Sequence, residues 1–195
     1  MSRAHVIVLD IETKKSFDEV GGFRNLVALG VSMVGVYSYR QDEYKAYFEK
    51  DFPELLRLLA EKPLIIGFNQ RKFDMPVLQP CFNQFDLNKL PMVDILEDLT
   101  KRLGHRVKLD SVAKATLGTQ KSGDGLDAIR YWNEKDFESL QKYCLDDVRI
   151  TKEIFDFGVK ERKVFFTDRY GKGKLPVEVD WKFPQEEAVG QISLF

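Results

Sequence analysis

Five side chains combine carboxylates and a phenol at places where folding alone would not require them. Asp10 and Glu12 directly follow the apolar run at residues 5–9, which is typical of a strand buried on both faces. Residues two apart on a strand point to the same side, so these like charges would repel each other unless a cation joined them. A solvated strand end, with Asp10 beginning a turn, is the alternative interpretation of this pair.

The other three candidates follow later elements. Asp147 lies on the apolar face of the longest predicted helix, one turn beyond Tyr143, whereas Asp146 is rotated about 100° toward water. Burial of an unpaired carboxylate is costly, so Asp147 is a candidate for a functional site. The alternative interpretations are a salt bridge that pairs Asp147 with a cation and a simple packing role for Tyr143. Asp74 follows a short apolar run at residues 63–67 and precedes a predicted helix, where a simple N-cap would also explain it.

The four carboxylates taken together indicate a function more specifically than any one of them does. Hard divalent cations such as Mg²⁺ and Mn²⁺ prefer carboxylate oxygens. Three or four Asp and Glu side chains from separate elements can hold two such ions ~4 Å apart. Such a pair activates water and stabilises the leaving oxygen in phosphoryl transfer, which is the chemistry that this set predicts.

Composition limits the class of protein. The 195 residues include 30 Lys+Arg and 31 Asp+Glu, and 44% are hydrophobic, which is typical of one globular domain. The net charge of -1 does not indicate nucleic-acid binding, so any such site must depend on local basic patches. Cys81 and Cys144 stand alone, which argues against structural zinc and favours a reducing, cytoplasmic compartment. No signal peptide or membrane span is expected.

The positioning elements are predicted from periodicity and caps. Three strands, at 5–9, 26–37 and 43–48, have links too short for a crossover helix and should form an antiparallel meander. Further elements are a helix from Phe52, a strand at 63–67, a helix from Asp94 to Gly104, one capped by Asp110 and stopped by Gly118, and a long helix capped within 133–136. A hairpin of residues 164–166 and 175–179 follows. The order predicts an α/β domain with a mixed central sheet flanked by helices and a C-terminal β-hairpin.

Three ordered motifs resemble those of the DEDD 3′→5′ exonucleases (DnaQ-like, with a ribonuclease H-like fold). They are residues 8–13, Asn69 with Phe73 and Asp74, and Tyr143 four residues before Asp147. Tyrosine at that spacing marks the DEDDy branch, since the sister branch has His where this chain has Lys142. Residues 67–78 and 109–118 are especially similar to the proofreading domain of family B DNA polymerases. Because the resemblance covers about residues 6–154, it implies an exonuclease that stands alone.

The resemblance implies a mechanism. Asp10, Glu12, Asp74 and Asp147 would hold two Mg²⁺ or Mn²⁺ ions, and Tyr143 would orient the attacking water. The product would be nucleoside 5′-monophosphates released from single-stranded 3′ ends of DNA, in repair or replication. A 3′→5′ exoribonuclease similar to ribonuclease D is an alternative, because the acids do not distinguish deoxyribose from ribose. A catalytically silent nucleic-acid-binding module is a second alternative.

Other residues are candidates for contact with the nucleic acid. By the same resemblance Thr13, Asn69 and Phe73 lie near the substrate strand, although Phe73 would serve equally as a core residue. Two basic segments, at 101–108 and 160–174, are candidates for tracking the backbone, and the second interleaves aromatic residues with its cations. From that second segment we expect Lys163 and Arg169 to bind nucleic acid.

The C-terminal segment suggests a protein partner. We expect an exonuclease domain at 1–160, a basic hairpin extension at 161–181 and a flexible tail at 182–195. The last five residues resemble the short motif by which bacterial replication and repair proteins bind the ring-shaped sliding clamp. Gln191 would bind at the mouth of a pocket that Leu194 and Phe195 fill. A tail that packs back onto the domain is the alternative.

Overall fold

A computed structural model describes residues 5–119, 125–167 and 173–184. Its centre is a five-stranded sheet in the order β3-β2-β1-β4-β5. The strands are β1 (Val6–Thr13), β2 (Val31–Ser38), β3 (Glu43–Tyr47), β4 (Leu64–Gly67) and β5 (Met92–Asp94). Strand β1 pairs antiparallel with β2, and β2 with β3, which confirms the predicted meander. Strands β4 and β5 run parallel to β1, so the sheet is mixed, as expected.

Six α-helices flank this sheet within the described ranges: α1 (Phe52–Ala60), α2 (Asp74–Leu78), α3 (Ile95–Leu103), α4 (Leu109–Leu117), α5 (Gly125–Glu134) and α6 (Phe137–Glu161). The side chain of Asp94 accepts the N–H of Glu97 at the start of α3, and Asp136 accepts the N–H of Ser139 at the start of α6. Gly104 and Gly118 end α3 and α4 in the left-handed conformation. These predicted caps are confirmed.

Some boundaries differ from the sequence prediction. The predicted strand at 26–37 is wrong at its start, because Leu26–Leu29 forms a 3₁₀ helix and Gly30, at φ +63°, turns the chain into β2. Asp110 lies in the first turn of α4 and does not cap it. The short strand β5 and the helix α5 were not predicted. Their patterns are too short or too polar to stand out from loops.

Strand β1 separates two layers of the core. Ile7, Leu9 and Ile11 belong to an apolar cluster shared with α1 and α2. Val6 and Val8 belong to the opposite cluster, which includes residues of α6. Because successive side chains alternate between the faces of a strand, Asp10 and Glu12 fall on the α6 face. This register decides which helix the two acids meet.

The two C-terminal strands pack onto α6. Strands β6 (Lys163–Thr167) and β7 (Lys174–Glu178) pair antiparallel, which confirms the predicted hairpin strands. Trp181 stacks on Phe155 with ring centroids 5.9 Å apart, and Gly158 leaves room for it, because a Cβ there would lie 2.4 Å from the indole. Phe183, within the predicted tail, lies 5.0 Å from the ring of Tyr39. Among the described residues, no helix has both the length and the apolar character needed to cross a membrane.

Candidate active site

Two acids of β1 meet helix α6 at the centre of the sheet. One carboxylate oxygen each of Asp10 and Glu12 and the Sγ of Cys144 all lie within 4.8 Å of one another. Glu12 is 8% exposed, and Asp10 is half-buried. The same-side arrangement that the sequence predicts for these two carboxylates therefore holds.

Gly35 explains how α6 comes so close. It pairs with Asp10 across the β1–β2 ladder, and a Cβ at this position would lie 2.8 Å from the Sγ of Cys144 and 3.0 Å from the Cγ2 of Val148. A larger residue would therefore push the helix away from the acids. Because Gly35 of β2 has no side chain, α6 can pack close to β1.

Asp147 joins this cluster from α6. It is 5% exposed and follows Cys144 by three residues, almost one turn. Burial raises the pKa of the Cys144 thiol well above its usual value, and the charges of Asp10, Glu12 and Asp147 raise it further. Since three acids act on one thiol, they share one neighbourhood. A protonated thiol is a poor metal ligand, so the carboxylates are the side chains here that could hold a metal ion.

Asp74 reaches the same end of β1 from the other layer. It is the first residue of α2, is 3% exposed, and its carboxylate accepts the backbone N–H of Ile11, which lies between Asp10 and Glu12 in the chain. Burial raises its pKa to about 7, the charge of Asp94 adds to this, and the backbone hydrogen bonds oppose it. The structure therefore places the fourth acid beside the strand that carries the first two.

Tyr143 lies one helical turn before Asp147 on the buried face of α6. It is 5% exposed and packs in a small cluster with Met33, Leu140 and Cys144. The spacing of four residues places the phenol and the carboxylate of Asp147 on the same face, as the sequence predicts.

Two residues that shape the site were missed by sequence reasoning. The sequence predicts only a helix cap for Asp94, yet its carboxylate also accepts the backbone N–H groups of Asn69 (2.9 Å) and Arg71 (3.0 Å). Gln70 is fully buried, and its Nε2 donates to the carbonyls of Leu9 (2.8 Å) and Ile66 (3.2 Å). The only sign of these roles in the sequence is that both side chains are polar and lie in or near a motif. Together they tie the loop that follows β4 to the end of β1.

The predicted strand contacts divide between two clefts. Thr13 and Phe73 line a cleft of about 480 Å³ together with Glu12. A β-bulge changes the register between Glu12 and Thr13, a feature common beside active sites. Phe73 is half-buried and packs against the core, which agrees with its interpretation as a core residue, and its contact with the substrate strand stays a prediction. Asn69 lies in a neighbouring cleft, where its Oδ1 accepts the Nη2 of Arg106 at 3.0 Å.

Among the remaining candidates, the structure describes Lys163, and it is not brought to the acids. Lys163 lies just past the end of α6, which ends 14 residues after Asp147, or roughly 20 Å along the helix axis. In the other basic segment, Arg102 is bound by Asp98 and Asp180. Arg169, Gln191, Leu194 and Phe195 lie outside the described residues. Their roles, and that of Lys163, stay predictions.

The mixed sheet, the flanking helices and the acidic cluster define a nuclease-type fold, that of the DEDD-type exonucleases. The chain belongs to the RNase H superfamily, because a family model of that description matches residues 7–157. No relative was found among curated protein sequences.

Solved structures support the same fold. The family B DNA polymerase from the hyperthermophilic archaeon Pyrobaculum calidifontis matches 79% of this chain with a TM-score of 0.57 and 20% identity. RNase D from Trypanosoma brucei in complex with RNA U12 matches 79% with a TM-score of 0.58 and 19% identity. This chain spans 24% of that polymerase and 55% of that RNase D. At such identities the likeness shows the fold.

Proposed function

We propose that this protein is a metal-dependent 3′→5′ exonuclease that releases nucleoside 5′-monophosphates from single-stranded 3′ ends of DNA. One observation carries the proposal. Asp10 and Glu12 of β1 share a neighbourhood with Asp147 of α6, and Asp74 binds the backbone of the same strand. Acids from three separate elements converge at the end of a buried strand, beside a cleft open to substrate.

The donor set fits hard divalent cations. Asp10, Glu12, Asp74 and Asp147 offer carboxylate oxygens, and the neighbouring thiol of Cys144 is held protonated. These four residues would hold two Mg²⁺ or Mn²⁺ ions. When bound, the ions would supply an activated water and stabilise charge on the leaving oxygen.

The chain's own residues would position the reactants. The oxygen of a water molecule would attack the phosphorus of the last phosphodiester linkage and the water would give up one proton. The bond from that phosphorus to the 3′ oxygen of the preceding nucleotide would break, and this oxygen would take a proton to become the new 3′ hydroxyl. Tyr143 would orient the water; a phenol with a pKa of ~10 is a poor general base near neutral pH, so positioning is its role. Thr13 and Asn69 would bind the terminal nucleotides, and Phe73 would stack on a base.

The test follows digestion of 3′-labelled single-stranded oligonucleotides with Mg²⁺, with Mn²⁺ and with EDTA. We expect the wild type to release mononucleotides only with metal, and Asp10→Ala or Asp147→Asn to lose at least ~100-fold in rate. The fold should be unchanged or more stable without metal, because charge repulsion is relieved. Asp146→Asn is the matched control, since Asp146 is adjacent but binds Arg149. Wild-type rates in Asp147→Asn would contradict the proposal.

A 3′→5′ exoribonuclease is the second candidate. The observation that favours it is the similarity to an RNase D solved with RNA U12. Matched DNA and RNA strands of one sequence separate the two candidates. Faster release from RNA would favour the ribonuclease, and no release from either would leave a silent binding module.

We further propose that the tail recruits the enzyme to a bacterial sliding clamp during DNA repair or replication, in the cytoplasm. The support is the resemblance of residues 191–195 to clamp-binding motifs. So small a contact should bind with a Kd of roughly micromolar and raise the local concentration at DNA. Titration of a purified bacterial clamp with wild type and with Leu194→Ala/Phe195→Ala tests this. Equal binding by both proteins would exclude the motif.

A further inference from the structure

The loop between β1 and β2 carries an aromatic pair, of which one ring is exposed to solvent and the other is half-buried. Phe23 is 76% exposed, which is the highest value among the large hydrophobic side chains that the structure describes. Its ring lies 4.0 Å from that of Phe17, which in turn lies 5.9 Å from Phe73. Three aromatic rings therefore form a continuous series from an exposed loop to the motif that contains Asp74.

The loop backbone holds this arrangement in place. Lys14 N–H donates to the carbonyl of Gly30 at 2.9 Å, which closes the base of the loop. Gly21 and Gly22 adopt φ of +78° and +102°, and Gly22 N–H donates to the carbonyl of Phe17 at 2.8 Å. This turn folds the chain back so that Phe23 meets Phe17. The hydrogen bonds and backbone angles of the loop therefore keep Phe23 in its exposed position.

The cleft that the rings line is continuous with the acidic cluster. Its lining includes Glu12 and Thr13, then Phe17, Phe23 and Phe73, and apolar residues from α5 such as Ile129. Its volume of about 480 Å³ lies in the ~300–1,000 Å³ range of pockets that enclose small molecules. Lys15 supplies a cation to the same lining. The same lining also contains the acid Asp18, so its charged residues are two acids and one cation, and it is the apolar, aromatic part of the cleft that suits the base of a nucleotide.

We infer that Phe23 and Phe17 form a stacking wall for an unpaired base at the 3′ end of the substrate, and that this wall makes the enzyme selective for single strands. The inference rests on the proposed function, because the acids define where the 3′ end lies. Aromatic faces stack on any base, so the wall accepts all sequences. A base-paired nucleotide has its faces covered by its neighbours and must unstack before it can enter. Duplex ends are therefore bound only after fraying.

The test measures binding of a fluorescent oligothymidylate of ten nucleotides in EDTA, which removes the metal ions and so prevents hydrolysis. Phe23→Ala should raise Kd roughly 10-fold, and Phe23→Trp should keep it within about twofold of wild type. Val27→Ala is the matched control, because Val27 lies in the same loop and is 61% exposed but does not line the cleft. It should leave Kd unchanged. The ribo-oligomer, as a second arm, should respond in the same way.

A set of oligonucleotides with one abasic site at each of the three 3′-terminal positions isolates the stacking contact. At one position the effect of Phe23→Ala should shrink to under about twofold, because the base it stacks on is missing. A loss that persists with every abasic strand, or an unchanged Kd with the intact strand, would overturn the inference. Absence of wild-type binding would overturn it as well. Retained binding without cleavage would contradict only the proposed function, and the Phe23 comparison would still decide the stacking wall.

Discussion

At the residue scale, Asp74 shows how burial sets the protonation state of a carboxylic acid in the acidic cluster. Its pKa rises from 3.8 to about 7 on folding, chiefly because the carboxyl group is buried. Between these values the folded protein binds more protons than the unfolded chain, so the stability of the metal-free protein falls as the pH rises. A cation beside the carboxylate would favour the ionised form and oppose this loss.

We predict that Asp74→Asn stabilises the metal-free protein by ~2–4 kcal/mol at pH 8, because the amide carries no charge to bury. The gain should shrink steadily as the pH falls from 7 toward 4, where wild-type Asp74 becomes protonated in both states. Urea unfolding in EDTA across this range measures it. A gain that does not change with pH would show that Asp74 is not the titrating group.

Tyr143 can be tested without altering its packing. Tyr143→Phe keeps the ring in its cluster and removes only the hydroxyl. Hydrolysis should slow by about 10–100-fold, a loss of ~1.4–2.7 kcal/mol of transition-state stabilisation, while strand binding changes little. Single-turnover rates and anisotropy titrations measure the two quantities. Unchanged single-turnover rates would leave Tyr143 as a packing residue.

At the element scale, the approach of α6 to the sheet depends on Gly35. The glycine has ordinary backbone angles, so its role is steric: its missing Cβ makes room for Cys144 and Val148. Any shift of α6 would move Tyr143 and Asp147 together, away from Asp10 and Glu12.

We predict that Gly35→Ala destabilises the protein by ~1–3 kcal/mol, because overpacking forces the neighbouring atoms to move. It should also slow hydrolysis. The double variant Gly35→Ala/Cys144→Ala should recover part of both losses, since it removes the nearest clashing atom. Urea unfolding and single-turnover rates, with Cys144→Ala alone as the control, give the comparison. Simple additivity of the two losses would refute this steric explanation.

At the scale of the whole molecule, the C-terminal strands behave as part of the core. Val164 and Phe166 of β6 and Trp181 are buried in the cluster that contains Phe155 of α6. Thr116 of α4 both donates to the carbonyl and accepts the N–H of Phe165, each at 2.9 Å, so a helix hydroxyl completes the edge of β6. The strands of the hairpin therefore pack in the same hydrophobic core as helix α6 of the nuclease fold.

We predict that a chain ending after residue 184 keeps the melting temperature and turnover of the full chain but loses clamp binding. A chain ending after residue 161 should lose several kcal/mol of stability, since each large buried side chain contributes ~1.5–3 kcal/mol. Trp181→Ala is the milder variant and should cost ~3–5 kcal/mol. Calorimetry measures all three. If residues 1–161 melt at the temperature of the full chain, the hairpin is a separate extension.

Local sequence patterns determined most of the elements and the identity of the acids. The apolar run of β1, the Asp94 and Asp136 caps and the stop at Gly104 depend on periodicity and on hydrogen bonds between near neighbours, so they can be predicted from the sequence. The spacing of Tyr143 and Asp147 is likewise a property of one helix. Strand β5 and helix α5 were missed because their local signals are short or weak.

Only the tertiary structure decided how these elements meet. Gly35 and Cys144 are more than one hundred residues apart in the chain, and neither has a local pattern that indicates their contact. Gln70 joins β1 to β4 through hydrogen bonds to two backbone carbonyls. Phe23 lines the cleft because a turn brings it there, and the sequence around that turn does not indicate a cleft. Such contacts arise from close packing between distant segments, which local propensity does not encode.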